Sequence, residues 1–211
     1  MVSIKVNNVF APHLPEHCKE KYFRKSGYQG LVVGVAKCYT RKKRVAIDIG
    51  AHVGLWTMQL LDEYMGFGHV YAFEPDPLNC ECFKKNVTEH ATLFEIALGS
   101  CVGRASLLRF DGNSGATECH IDPNGEINVS VLDNFITKIP DVDLIKIDAQ
   151  GMDFDVLLGG VHMIMMHRPL IVIECVMNDT FDRRVPKFLE CLDYFEIAHI
   201  DKDFVFKAKK R

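Results

Sequence analysis

Residues 45–54 read VAIDIGAHVG, from Val45 to Gly54. A short run of apolar, partly β-branched residues enters a glycine turn, and a helical spacing of apolar residues starts near Val53. That succession predicts a buried strand, a tight loop and a helix of an open α/β sheet. Gly50 and Gly54 let backbone approach a ligand closely, because no Cβ fills the space. The helix starting near Val53 offers unpaired N–H groups and a positive dipole end, which suit an anionic group such as a carboxylate. A dinucleotide fingerprint aligned on Gly50 would need glycine at positions 48 and 53, and these are Asp48 and Val53. No GK[ST] follows for a phosphate-binding loop, and Asp48 would repel phosphates.

Outward from this stretch the same rhythm repeats. Strand-like runs at 44–49, 69–73, 92–98, 143–147 and 170–176 alternate with helical spacings at 53–65, 77–90 and 152–166. The alternation predicts an α/β fold, doubly wound around a mostly parallel sheet with helices on both faces. Asp76 before Pro77 reads as a helix cap with proline in the first turn. Residues 99–140 break the rhythm with glycines and strand-like pieces at 105–110 and 127–132, which predicts a hairpin-like excursion. Residues 1–40 read as a helical lead-in to a domain over 41–211 that closes with two strands between Tyr194 and Lys207. Trp56 and Phe67 read as core residues.

Composition narrows the function. The chain has 211 residues, 48% hydrophobic and 25% charged, enough for one core without disulfides and unlike a disordered or fibrous chain. A net charge of −3 argues against a globally basic coat for nucleic acid. The charge is uneven, however: nine Lys or Arg and only Glu20 as an acid lie between Lys19 and Arg44. The eight cysteines lack paired metal-ligand spacing, so reduced thiols and no metal site are expected. Neither a signal pattern nor a run near the ~18 apolar residues of a membrane span occurs, which predicts a cytoplasmic protein with no membrane partner.

The chemistry is carried by acids at strand ends. Glu74 ends the second strand, 20 residues after Gly54, where an acid accepts both hydroxyls of a ribose. A ligand with a ribose and a carboxylate but no phosphate fits S-adenosylmethionine, whose ammonium Asp48 would help neutralise. The switch point between the first and fourth main strands predicts that Asp48, Glu74, Asp148 and Glu174 surround the ligand. Lys146 and Asp148 are two apart and share a strand face.

On DIGAHVG (48–54), AFEPDP (72–77), Asn86, IALGS (96–100), Gly103, LIKIDAQGMDFDVLLGG (144–160) and IVIEC (171–175), the chain resembles the FkbM-like family of class I S-adenosylmethionine-dependent methyltransferases. The resemblance covers about 40–180. It implies a Rossmann-like seven-stranded sheet, bound S-adenosylmethionine, O-methylation of a hydroxyl on a small molecule or sugar, and contacts from Ala97 and Leu98 to the adenine. The expected cofactor set is then Asp48, Gly50, Ala51, His52, Gly54, Glu74, Ala97 and Leu98. Asp148 is the candidate to orient the acceptor hydroxyl or take its proton, with Lys146 and Glu174 beside it. Where the family usually has Asp-x-Glu-Gly, this chain has Asp148-Ala149-Gln150-Gly151, and Gln150 keeps the shape without the charge.

Two other readings compete. An RNA ribose 2′-O-methyltransferase would use the same platform with a Lys-Asp-Lys-Glu set, in which Asp148 and Glu174 supply the acids and a basic residue such as Lys25 or Lys37 the first lysine. The second lysine expected shortly before Glu174 is missing, and only Arg168 lies there. A non-catalytic S-adenosylmethionine-binding protein would explain the altered Gln150.

Overall fold

The computed structural model describes residues 9–14, 29–110, 113–177 and 180–210. Much of the expected lead-in, including Lys19, Lys21, Arg24 and Lys25 of the basic stretch, lies outside these residues. In chain order the elements are α1 (Gly30–Tyr39), β1 (Val45–Ile49), α2 (Leu55–Leu61), β2 (His69–Phe73), α3 (Pro77–Asn86), β3 (Ala91–Phe94), β4 (Ala97–Leu98), β5 (Gly103–Phe110), β6 (Asn113–Ile121) and β7 (Ile127–Ser130). After a 3-10 turn (Leu132–Phe135) come β8 (Val142–Ile147), α4 (Asp153–Leu158), α5 (Val161–His167), β9 (Leu170–Glu174), β10 (Val176–Met177), β11 (Thr180–Phe181), α6 (Arg184–Cys191), β12 (Tyr194–Ile200) and β13 (Asp203–Ala208).

Seven strands form the main sheet in the order β12-β13-β9-β8-β1-β2-β3. β1 pairs in parallel with both β2 and β8, and β8 with β9, whereas β13 runs antiparallel to β9 and β12. The sheet is therefore mostly parallel with one reversed strand. Every residue of β1 is buried, as a strand covered on both faces requires. Alternation along the strands divides the core: Ile47, Ile145 and Ile171 face one side, while Ala46, Leu144 and Val172 face Val33 of α1 with Trp56 and Leu60 of α2. Trp56 and Phe67 are buried.

Several boundaries differ from the sequence reading. The strand expected at 92–98 is two, because after Phe94 the chain leaves the sheet edge, Glu95 pairs with Lys84 in solvent, and Ala97–Leu98 joins a second sheet of order β4-β7-β5-β6. That sheet is the excursion, with β5 and β6 as its hairpin. The helix expected at 152–166 is also two, broken at Gly159 and Gly160, where Gly159 packs on the backbone of Gly99. By contrast, α3 starts as expected, with the Asp76 carboxylate accepting from the Leu78 amide and Pro77 in the first turn. Among the described residues no helix is long and apolar enough to cross a membrane.

Candidate functional site

At the carboxyl ends of β1, β8 and β9 the structure gathers Asp48, Lys146, Asp148 and Glu174. Lys146 Nζ lies 3.3 Å from Asp148 Oδ2 and 3.7 Å from Asp48 Oδ1, and it donates to the Gly50 carbonyl at 3.3 Å. Asp48 is completely buried and accepts from Thr57 Oγ1 at 2.7 Å. A buried ammonium is costly without partners. Here the carboxylates of Asp148 and Asp48 outweigh the cost of burial and push Lys146 up to about 12, so it stays charged and is no base.

Gln150 joins the cluster, a residue for which the sequence suggested only lost charge. Its Nε2 donates to Asp148 Oδ1 at 2.5 Å and to Glu174 Oε2 at 3.2 Å. A carboxylate there would add a third acid to the pair, whereas an amide donates to both. Burial, and then the charge of Asp148, push Glu174 up to about 8. Lys146 and the hydrogen bonds from Glu174 and Gln150 keep Asp148 below the usual carboxylate range against the opposing effect of burial. At neutral pH the two carboxyl groups thus hold one proton, on Glu174.

Lys202 and Asp203 were not singled out from sequence. Asp203 opens β13 opposite Glu174 in the antiparallel register, and Lys202 Nζ lies 3.8 Å from Glu174 Oε1. Asp203 accepts from Gln29 Nε2 at 2.8 Å, and the Gln29 side-chain oxygen accepts from Trp56 Nε1.

The second group surrounds Glu74. Its Oε2 accepts from the His52 amide at 2.8 Å, and Oε1 accepts from the Asp76 amide at 3.0 Å and Asn79 Nδ2 at 3.1 Å. His52 holds a left-handed φ of 52° that turns its amide onto Glu74, and burial, with His13 second, lowers its imidazole to about 4. The excursion reaches this group: Arg109 of β5 clasps Asp76 with two 2.9 Å bonds. From the other side Asn86 donates to the carbonyls of Val53 and Phe10, tying residues 9–14 over the glycine loop.

The glycine loop is spent on its own architecture. The amides of Gly50 and Ala51 both donate to the Phe73 carbonyl. A Cβ at Gly50, with φ +73°, would lie 1.8 Å from the Asp148 carbonyl oxygen, and one at Gly54 would lie 2.7 Å from Val87 Cγ2. These glycines bring the loop onto β8 and α3. Ala97 and Leu98 are buried in the second sheet and join neither hydrogen-bonded group.

Burial pushes Glu74, Asp153 and Asp203 up to about 7 as well as Glu174 to about 8. Unfolded carboxyls ionise near pH 4, so through the neutral range the folded chain holds protons that the unfolded chain has released, and stability falls as pH rises. Thermal melts of the free chain are expected to drop by several degrees from pH 6.5 to 8.5, about 2–4 °C for each kcal/mol lost at this size. A flat profile contradicts the buried acids.

The strand order, with its single reversed strand and the acid-lined switch point, defines a class I methyltransferase fold. A family profile described as the methyltransferase FkbM domain matches residues 48–206. The chain belongs to the FkbM methyltransferase domain family. Among solved structures it resembles the FkbM methyltransferase of Methylobacillus flagellatus, with 18% identity, a TM-score of 0.56, and 78% of this chain covered. The chain spans 43% of that protein's length. It also resembles a Pyrococcus horikoshii protein provisionally described as an RNA methyltransferase (12% identity, TM-score 0.54, covering 92% of this chain and 88% of that one). A precorrin-6y C5,15-methyltransferase from Geobacter metallireducens is a third, with 18% identity, TM-score 0.50 and 86% and 88% covered. At these identities the likeness concerns the fold. No curated protein matches the sequence.

Proposed function

We propose that the chain is a cytoplasmic S-adenosylmethionine-dependent O-methyltransferase acting on a hydroxyl of a small molecule or sugar, with residues 41–211 as its catalytic domain. The observation that carries this reading is the Asp148–Gln150–Glu174 cluster, a carboxylate and a protonated carboxyl bridged by an amide beside the Gly50 loop.

The residues fit the cofactor. Glu74 is a buried acid whose Oε2 receives one hydrogen bond, which leaves acceptor capacity for ribose hydroxyls. Glu74, His52 and Ala51 would hold the ribose side and Ala97 and Leu98 the adenine side from the second sheet, with Gly50 and Gly54 shaping the loop. Asp48, which is fully buried and whose carboxyl that burial pushes up, would lie beneath the ammonium side without touching it. S-adenosylmethionine supplies an activated methyl group, so the protein's task is alignment and exclusion of water. Asp148 accepts the hydrogen bond of the acceptor hydroxyl and takes its proton as that oxygen gains positive charge. Lys146 fixes the Asp148 carboxylate, and Glu174 donates through its own proton.

The test joins binding to turnover. Calorimetry is expected to show S-adenosylmethionine binding that weakens at least tenfold in Glu74→Ala, and labelled methyl groups should pass to polyols or glycans. Unchanged affinity in the variant defeats the cofactor assignment, and binding without transfer to any acceptor favours the non-catalytic reading.

One observation favours RNA as the acceptor: Lys202 supplies the second lysine of a Lys-Asp-Lys-Glu set with Lys146, Asp148 and Glu174. Against it, Asp148 is ionised at this end of the sheet, and Asp153 and Asp203, raised by burial and then by the charge of Asp148, release their protons at about 7, so the field there turns against phosphates as pH rises. Labelled transfer to RNA exceeding transfer to polyols would reverse the choice.

A further inference from the structure

A groove of about 280 Å³ opens at the opposite edge of the main sheet. It lies where β8 and β9 begin and β13 ends, the length of β9 away from Glu174, on the order of 13 Å. Its wall includes Arg41, Lys42, Lys207 and Lys210, with Thr40 and His167 between them.

Lysines and arginines at helix ends are ordinarily solvated, and α1 and α5 both end here, so their negative dipole ends account for part of this charge. Three features exceed that explanation. First, the acid in the wall is already neutralised, since Asp143 takes three hydrogen bonds from Arg44. Asp143 also feels the charge of Lys42, but among the described residues no carboxylate lies in ion-pair contact with Arg41, Lys42 or Lys210, and Lys43 close by is lowered by burial and then by the charge of Lys37. Second, Thr40 is 6% exposed and its Oγ1 has no hydrogen-bond partner, and neither has the buried His167 Nε2. A buried hydroxyl left unbonded costs stability, and a turn about χ1 would let Thr40 bond a ligand at the groove wall. Third, the site is a half-open groove whose volume of about 280 Å³ is near the lower end of small-ligand sites, where a polynucleotide track would run much further.

We infer that this groove is a second ligand site, distinct from the methyl-transfer site, for a small phosphate-bearing anion of the pyrophosphate or nucleoside-diphosphate kind. Arg41, Lys42 and Lys210 meet the charge, and Thr40 and His167 offer the buried polar contacts. Arg168 is not part of it, because its guanidinium is committed to the carbonyls of Leu192 and Asp193.

The experiment titrates the full chain with inorganic pyrophosphate and, separately, with a single-stranded RNA oligomer, by calorimetry at low salt. Saturable pyrophosphate binding is expected, at least about tenfold weaker in Arg41→Ala/Lys42→Ala. Thr40→Val should weaken it about threefold while raising the melting temperature of the free chain, because the unbonded hydroxyl is gone. S-adenosylmethionine affinity should stay unchanged in all these variants, so the outcome is independent of the methyltransferase reading. Absence of saturation up to about 10 mM pyrophosphate overturns the inference. So does binding that the double variant leaves intact, or RNA binding without pyrophosphate binding, which would make the patch a polyanion surface.

Discussion

Asp148→Asn is expected to lower methyl transfer by about 10²–10⁴-fold, the range of a removed acid-base group, while S-adenosylmethionine affinity stays within threefold. Both oxygens of Asp148 face donors, Lys146 Nζ on one side and Gln150 Nε2 on the other. An asparagine must turn its own NH₂ group toward one of them, so one good hydrogen bond becomes a donor facing a donor. With the amide turned that way, Lys146 would keep the Gly50 carbonyl at 3.3 Å and, as its one carboxylate within 4 Å, Asp48 at 3.7 Å. Equal turnover in the variant removes Asp148 from the reaction. Glu174 provides the companion measurement. Its carboxyl is held protonated, and glutamine mimics that state, so Glu174→Gln should retain activity within about tenfold whereas Glu174→Ala should not. Equal losses in both would mean that the ionised form of Glu174 is needed.

Gly50→Ala is expected to abolish cofactor binding, with affinity down at least 100-fold and a lowered melting temperature. The new Cβ would sit 1.8 Å from the Asp148 carbonyl oxygen, and the backbone there is left-handed at φ +73°. Strain of this kind costs roughly 1–3 kcal/mol by itself. The overlap adds a forced separation of β1 from β8, moving the Asp148 backbone and with it the carboxylate. Gly151→Ala isolates the two causes, since Gly151 has φ +94° and nothing within 4 Å of a Cβ. It should lose stability but keep cofactor affinity within a few fold. If Gly50→Ala binds as the natural chain does, the close approach of the loop to β8 does not matter for the ligand.

What the sequence revealed tracks the range of the interactions involved. β1, the Asp76-Pro77 start of α3 and the acids at strand ends are written in local periods and caps, and they are where 45–54 and 72–77 put them. Strand 92–98 misled because a continuous apolar run does not reveal that its two ends belong to different sheets. Gln150 was legible as a departure but not as a bridge, because its partners Asp148 and Glu174 meet only once β8 and β9 are paired. Lys202, Asp203 and Gln29 carried no signal at all: Gln29 and Asp203 are 174 residues apart and meet through the register of the reversed strand.

That reversed strand has a consequence for how the protein comes into being. β13 is inserted between β12 and β9 after every other strand of the main sheet has been synthesised. It delivers Lys202 and Asp203 to a cluster whose remaining members were made at least 28 residues earlier, and through Asp203 it fastens Gln29 at the start of α1. Until it docks, Glu174 faces an open sheet edge. The cluster is therefore assembled last, and a growing chain on the ribosome cannot carry a finished site before this hairpin has cleared the exit tunnel.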